Sequence, residues 1–97
     1  MRRTVRKSKL AEIDLIGIWQ YSFEQWDGAQ ADRYLDELDE AIQLLTSNTE
    51  LGVNRDFVRR GYRALFVNRH AIYYTATDAE IYVVRVLHER MDPAKHL

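Results

Sequence analysis

Between Ser8 and Trp26 the apolar positions recur with a helical period. At about 100° per residue, Ala11, Leu15, Ile18, Trp19, Ser22 and Trp26 share one arc, which predicts a helix with that arc toward a core. Ser8 is a favourable N-cap, and Glu12 lies in the first turns, where the helix dipole favours acid. The far side is not polar, because Ile13, Ile16 and Phe23 gather there around Gln20. A helix with apolar residues on two sides is either sandwiched within its own fold or offers one side to a partner.

A second helix follows. Asp27 and Gln30 have the spacing of a capping box, and Ala31, Leu35, Leu38, Ile42 and Leu45 then alternate in steps of four and three. Tyr34 and Ala41 widen that stripe, while Asp32, Asp36, Asp39, Glu40 and Gln43 face away. So short a connection between helices predicts antiparallel neighbours. From Asn48 to Gly61 the pattern lapses into a loop, with Gly52 and Gly61 as turn residues.

Beyond the loop the period changes to two. Tyr62–Val67, His70–Thr77 and Glu80–His88 are rich in Val, Ile, Tyr and Phe, and Asn68-Arg69 and Asp78-Ala79 join them as hairpin turns. In the last strand Ile81, Val83, Arg85 and Leu87 alternate with Tyr82, Val84, Val86 and His88, so both faces are apolar and the strand belongs inside a sheet. Thr4-Val5 supplies a short first strand. The expected fold is α+β, in the order β-α-α-β-β-β, with an antiparallel helix hairpin on one face of a small, mainly antiparallel sheet.

Composition narrows the classes. A chain of 97 residues is read as one domain over 1–97, with 46% hydrophobic and 30% charged residues in keeping with an ordered globule. Fourteen basic against fifteen acidic side chains leave a formal charge of -1, which argues against a dedicated nucleic-acid binder with a dominant positive field, and no direct sequence-specific DNA binding is expected. The charge is unevenly placed: Arg2, Arg3, Arg6, Lys7 and Lys9 crowd the start, the helices are acidic, and arginines return after residue 54. The absence of cysteine fits a reducing compartment. No apolar run nears the roughly 20 residues of a membrane span, and a polar helix follows the basic start where an export signal would be apolar. The expected location is the cytoplasm.

Motifs of catalysis are missing. His70, His88 and His96 are too scattered for a zinc pattern, no serine sits in a nucleophile elbow, and no glycine-rich phosphate loop is present, so no metal or cofactor is expected. The carboxylates fall on solvated helix faces. Basic residues on the sheet remain. Arg85, inside an apolar strand, must meet a carboxylate or backbone carbonyls. His88 and Arg90 stand where that strand ends, with Arg63 nearby on the sheet. In the tail, Asp92 caps a single helical turn with Pro93 at its first position, and Met91 and Leu97 dock on the body.

The ordered set Ala11, Asp14-Leu15, Ile18, Tyr21, Trp26, Gln30-Ala31 and Tyr34 resembles the ParE toxins of bacterial toxin–antitoxin pairs, within the RelE/ParE superfamily. The likeness continues through Gly52, Gly61-Tyr62-Arg63, His70 and Tyr73-Tyr74 to the run Val83–Asp92 and His96-Leu97. Asp27, where family members often have glycine, and the lack of a proline near Thr49 are departures confined to turns. The resemblance implies a toxin held by a ParD-like antitoxin and acting, when freed, by binding and poisoning DNA gyrase rather than by catalysis. The RelE branch instead cuts mRNA on the ribosome with basic residues on the sheet. Leu65 occupies a position where that branch tends to carry a base, so ribosome-dependent cleavage is the alternative. Arg63, His88 and Arg90 are the candidate toxicity residues, and Ile13, Ile16 and Phe23 the candidate antitoxin contacts.

Overall fold

A computed structural model describes residues 3–97; Arg2, the outermost arginine of the basic start, lies outside them. The elements run β1 (Thr4–Lys7), α1 (Lys9–Gln25), α2 (Gly28–Leu44), β2 (Val53–Asn54), β3 (Arg63–Val67), β4 (His70–Ala76), β5 (Glu80–His88) and α3 (Pro93–His96). The expected order is present, with the two-residue β2 and the one-turn α3 added to it. Ser8 performs two tasks at the start of α1. Its hydroxyl oxygen accepts the Ala11 N–H at 2.9 Å, and its hydroxyl donates to the Val84 carbonyl at 2.6 Å, so one side chain caps the helix and ties it to β5. Asp27 caps α2 by accepting the Gln30 N–H at 2.7 Å.

The sheet order is β1-β5-β4-β3-β2, with β1 parallel to β5 and the other pairs antiparallel. Both helices lie on one face. Their core joins Ala11, Leu38, Ile42 and Leu45 to Ile72, Tyr74, Ile81, Val83 and Val86. On the other face Ala64, Ala71, Tyr73 and Leu87 form a smaller cluster closed by Met91 and Leu97 of the tail, whose single turn Asp92 caps as expected. Trp26 departs from the expected core arc and is exposed. It sits at the C-cap with φ -130° and ψ -95°, where the helical step no longer sets its direction.

The strict alternation expected for β5 fails in the middle. Tyr74 pairs with Val83 but Tyr73 with Arg85, leaving Val84 as an extra residue in a β-bulge. Beyond the bulge the faces exchange. Val86 joins Ile81 and Val83 in the helix-side core, and Leu87 turns to the opposite cluster. Arg85 and Leu87 therefore do not share a side with Ile81 and Val83.

Two glycines are fixed by geometry. A Cβ at Gly52 would lie 2.6 Å from the Tyr74 hydroxyl and 3.0 Å from the Ala64 backbone. That closeness lets the Tyr74 hydroxyl accept the Gly52 N–H at 3.0 Å while donating to the Thr49 carbonyl at 2.6 Å, anchoring the α2–β2 loop to the sheet. Gly61 turns the chain into β3 with φ 87°.

Candidate functional site

The end of the sheet near the β3–β4 turn gathers the titratable groups. The register places His70 directly opposite His88, and their rings meet edge to face with centroids 5.3 Å apart. Tyr34 reaches down from α2 so that its hydroxyl lies 2.5 Å from His70 Nδ1. His88 Nδ1 accepts the Arg90 backbone N–H at 3.1 Å. With that lone pair taken, the neutral His88 ring carries its proton on Nε2.

Burial dominates the electrostatics here. It holds His70 below the usual histidine range, with the neighbouring His88 adding to the effect and Glu89 and Asp14 opposing it. It also raises the Tyr34 phenol, which the Arg69 N–H partly offsets. Nδ1 of each ring is thus engaged, that of His88 by the Arg90 N–H and that of His70 with the Tyr34 hydroxyl. Among the described residues no group of three or more His, Cys, Asp or Glu side chains could hold a metal.

Arg90 is exposed beside His88. Arg63 is elsewhere: it starts β3 opposite Tyr74, four residues before Val67, the partner of His70. At about 3.3 Å per residue that is ~13 Å along the strand. Its Nη1 donates to the Gly52 carbonyl at 2.7 Å, so it braces the α2–β2 loop. The structure brings His88 and Arg90 together and leaves Arg63 apart from them.

Arg85 meets both kinds of partner anticipated for it. Its Nε and Nη2 each lie 2.8 Å from the Asp14 carboxylate, and Nη1 donates to the His96 carbonyl at 3.0 Å. Asp14 also accepts the Val86 N–H at 3.0 Å, covering the β5 edge past the end of β1. This carboxylate is thereby an exception to the solvated acids expected on the helices.

Ile13, Ile16 and Phe23 all lie on the outer side of α1, between 51% and 59% exposed, with Leu10 and Tyr21 beside them. They pack neither on the tail nor on β1. Gly17 sits among them with nothing within 4 Å of where its Cβ would be. Phe23 stacks on Trp19 with centroids 5.2 Å apart, and Trp19 Nε1 donates to Asp32 Oδ1 at 2.9 Å, which steadies this end of the stripe.

The sequence reading did not single out Tyr34 and His70 as neighbours of His88. Counting back from the Asp78-Ala79 turn puts His70 opposite Leu87; only the bulge moves His88 into that place.

Comparison with known proteins defines the class. The model of the family described as ParE toxin of type II toxin–antitoxin system, parDE, matches residues 5–93. The chain is 40% identical to Toxin ParE1 of Mycobacterium tuberculosis over 91 residues, 93% of each chain. It is 33% identical to Toxin ParE1 of Caulobacter vibrioides over 92 residues, 95% of each. A solved structure of the chromosomal ParDE system from P. aeruginosa superposes with a TM-score of 0.77 at 17% identity, covering 90% of this chain and 96% of that one. The fold is therefore that of the small toxins that pair with antitoxins. Within that class the chain belongs to the ParE toxin family of type II toxin–antitoxin systems.

Proposed function

We propose that this toxin poisons DNA gyrase when released from a ParD-like antitoxin, acting in the cytoplasm by contact rather than by chemistry of its own. The observation that carries the reading is the state of the sheet-end cluster. A metal-independent nuclease needs a base with a free lone pair near the 2′-hydroxyl, whereas the acceptor nitrogen of His88, the ring beside Arg90 at the strand end, is occupied by the Arg90 N–H, and Nδ1 of His70 is engaged with the Tyr34 hydroxyl. What the cluster offers is the His88 Nε2–H donor and the exposed Arg90 guanidinium, suited to an acidic or carbonyl-rich surface. His88 and Arg90 are the proposed target contacts, with Arg63 acting through the loop it braces.

The outer side of α1 is the proposed antitoxin seat. Its apolar residues lie open, and Gly17 between them lets a second helix approach closely. Ile16→Asp with Phe23→Ser should weaken antitoxin binding at least tenfold; unchanged affinity removes the seat from α1.

The gyrase reading is tested with antitoxin-free protein, gyrase, plasmid and ATP. Lost supercoiling with accumulating linear DNA supports it, and His88→Ala with Arg90→Ala should abolish both. Unaffected gyrase from a folded sample refutes it, and mRNA cleavage on ribosomes by the same sample would move the toxin to the RelE-type activity.

A further inference from the structure

The loop between β2 and β3 carries three arginines, Arg55, Arg59 and Arg60, against one aspartate, in a chain whose formal charge is -1. The aspartate is exposed but bonded within the loop. Asp56 Oδ1 accepts the Gly61 N–H at 2.8 Å and Oδ2 accepts Asn54 Nδ2 at 3.1 Å, while the Asp56 N–H donates to Asn54 Oδ1 at 2.9 Å. These bonds, with Arg55 N–H to the Tyr62 carbonyl at 2.8 Å, close the loop on itself. They leave Arg59 and Arg60 pointing to water.

At the base of this loop are two open aromatic rings. Phe57 is 81% exposed and Phe66 52% exposed. The Arg55 guanidinium lies between them, 5.4 Å from the first ring centre and 5.5 Å from the second. Phe66 projects from the sheet face opposite the helices, beside the cluster that the tail covers. The result is a platform of two open rings, with a planar cation within 5.5 Å of each ring centre, rimmed by exposed arginines.

We propose that this platform binds single-stranded nucleic acid without sequence preference, Phe57 and Phe66 stacking on bases while Arg55, Arg59 and Arg60 follow the phosphates. Charge alone would suit an acidic polypeptide equally well. Such a partner would use the arginines and leave both rings in water, whereas a strand of bases and phosphates uses both features at their observed spacing. No side chain here is placed to read base edges, so the site is compatible with the absence of sequence-specific recognition. Phe66 lies on the sheet face opposite the one on which Tyr34 meets His70, and the proposal is independent of the gyrase reading.

The test uses the whole antitoxin-free chain and fluorescein-labelled oligothymidylate of about 12 nucleotides, followed by anisotropy. Three phosphate contacts on a single strand predict about a twentyfold loss of affinity between 50 and 200 mM salt. Arg59→Ala with Arg60→Ala should weaken binding and reduce that salt effect to about threefold. Phe57→Ala should weaken binding about tenfold with the salt effect unchanged, and Phe57→Trp should restore it. Phe57 is so exposed that neither substitution threatens the fold. Absence of binding at 50 mM salt overturns the proposal. So does Phe57→Ala with unaltered affinity, or polyglutamate competing as well as unlabelled oligothymidylate, because either makes the patch a site for negative charge alone.

Discussion

Replacing Asp14 by alanine tests the tie between the first helix and the last strand. The carboxylate receives Arg85 Nε and Nη2 at 2.8 Å each and the Val86 N–H at 3.0 Å, and the two side chains are 13% and 14% exposed. Removing one member of a buried pair costs about 3–5 kcal/mol, mostly because the other charge is stranded. The remaining exposure and the His96 carbonyl, which still accepts from Arg85, place the expected loss at the low end, about 3 kcal/mol. With a urea m-value of about 1.5 kcal/mol/M for a chain of this size, the unfolding midpoint should fall by ~2 M with an unchanged slope. Arg85→Met combined with Asp14→Ala should cost less than the two changes added, by about 2 kcal/mol, since the double variant strands no charge. A single Asp14→Ala variant within about 0.5 kcal/mol of the parent, or strict additivity, would falsify the reasoning.

Other substitutions probe separate parts of the fold. Gly52→Ala forces a methyl to 2.6 Å from the Tyr74 hydroxyl and should destabilise by about 1–3 kcal/mol, read as a lower Tm; an unchanged Tm would mean that the loop shifts freely. Gly17→Ala, in an exposed helix interior with open space around it, should stabilise by about 0.5–1 kcal/mol in urea unfolding, and destabilisation would show that the helix face is packed in solution. His70 is held below its usual value of 6.5, so between the folded and unfolded pKa the unfolded chain binds the extra proton. Its contribution is whole above pH 6.5 and is lost as pH falls through the folded value. The parent should therefore lose more Tm than His70→Gln between pH 7.5 and 5.5, and equal losses would contradict this.

Much of this architecture was legible because local signals agreed with one another. The caps at Ser8 and Asp27, the stripe from Ala31 to Leu45 and the Asp92-Pro93 turn each depend on neighbours in sequence, and each is where the spacing put it. The kind of partner Arg85 needs followed from the expense of burying a lone guanidinium, but its identity did not, since Asp14 is 71 positions away. The bulge at Val84 leaves no mark in an alternating apolar run, and with it went the meeting of His70 with His88. β2 is too short to show a period, so the arginines and Phe57 beyond it read as patternless loop. The open side of α1 was visible as Ile13, Ile16 and Phe23. Chemistry that depends on register was the part the pattern could not supply.

The parallel pairing of β1 with β5 has a bearing on how the chain comes to be a toxin. Thr4 aligns with Glu80 and Lys7 with Val83, so the strand made among the first residues finds its partner only among the last. The helix hairpin rests on contacts local in sequence, whereas its core stripe is covered by residues of β4 and β5. Topologies governed by such distant pairings fold slowly, because the long loop must be closed before the contacts that reward it exist. Because β5 lies between β1 and β4, the sheet stays in two parts until that strand is in place.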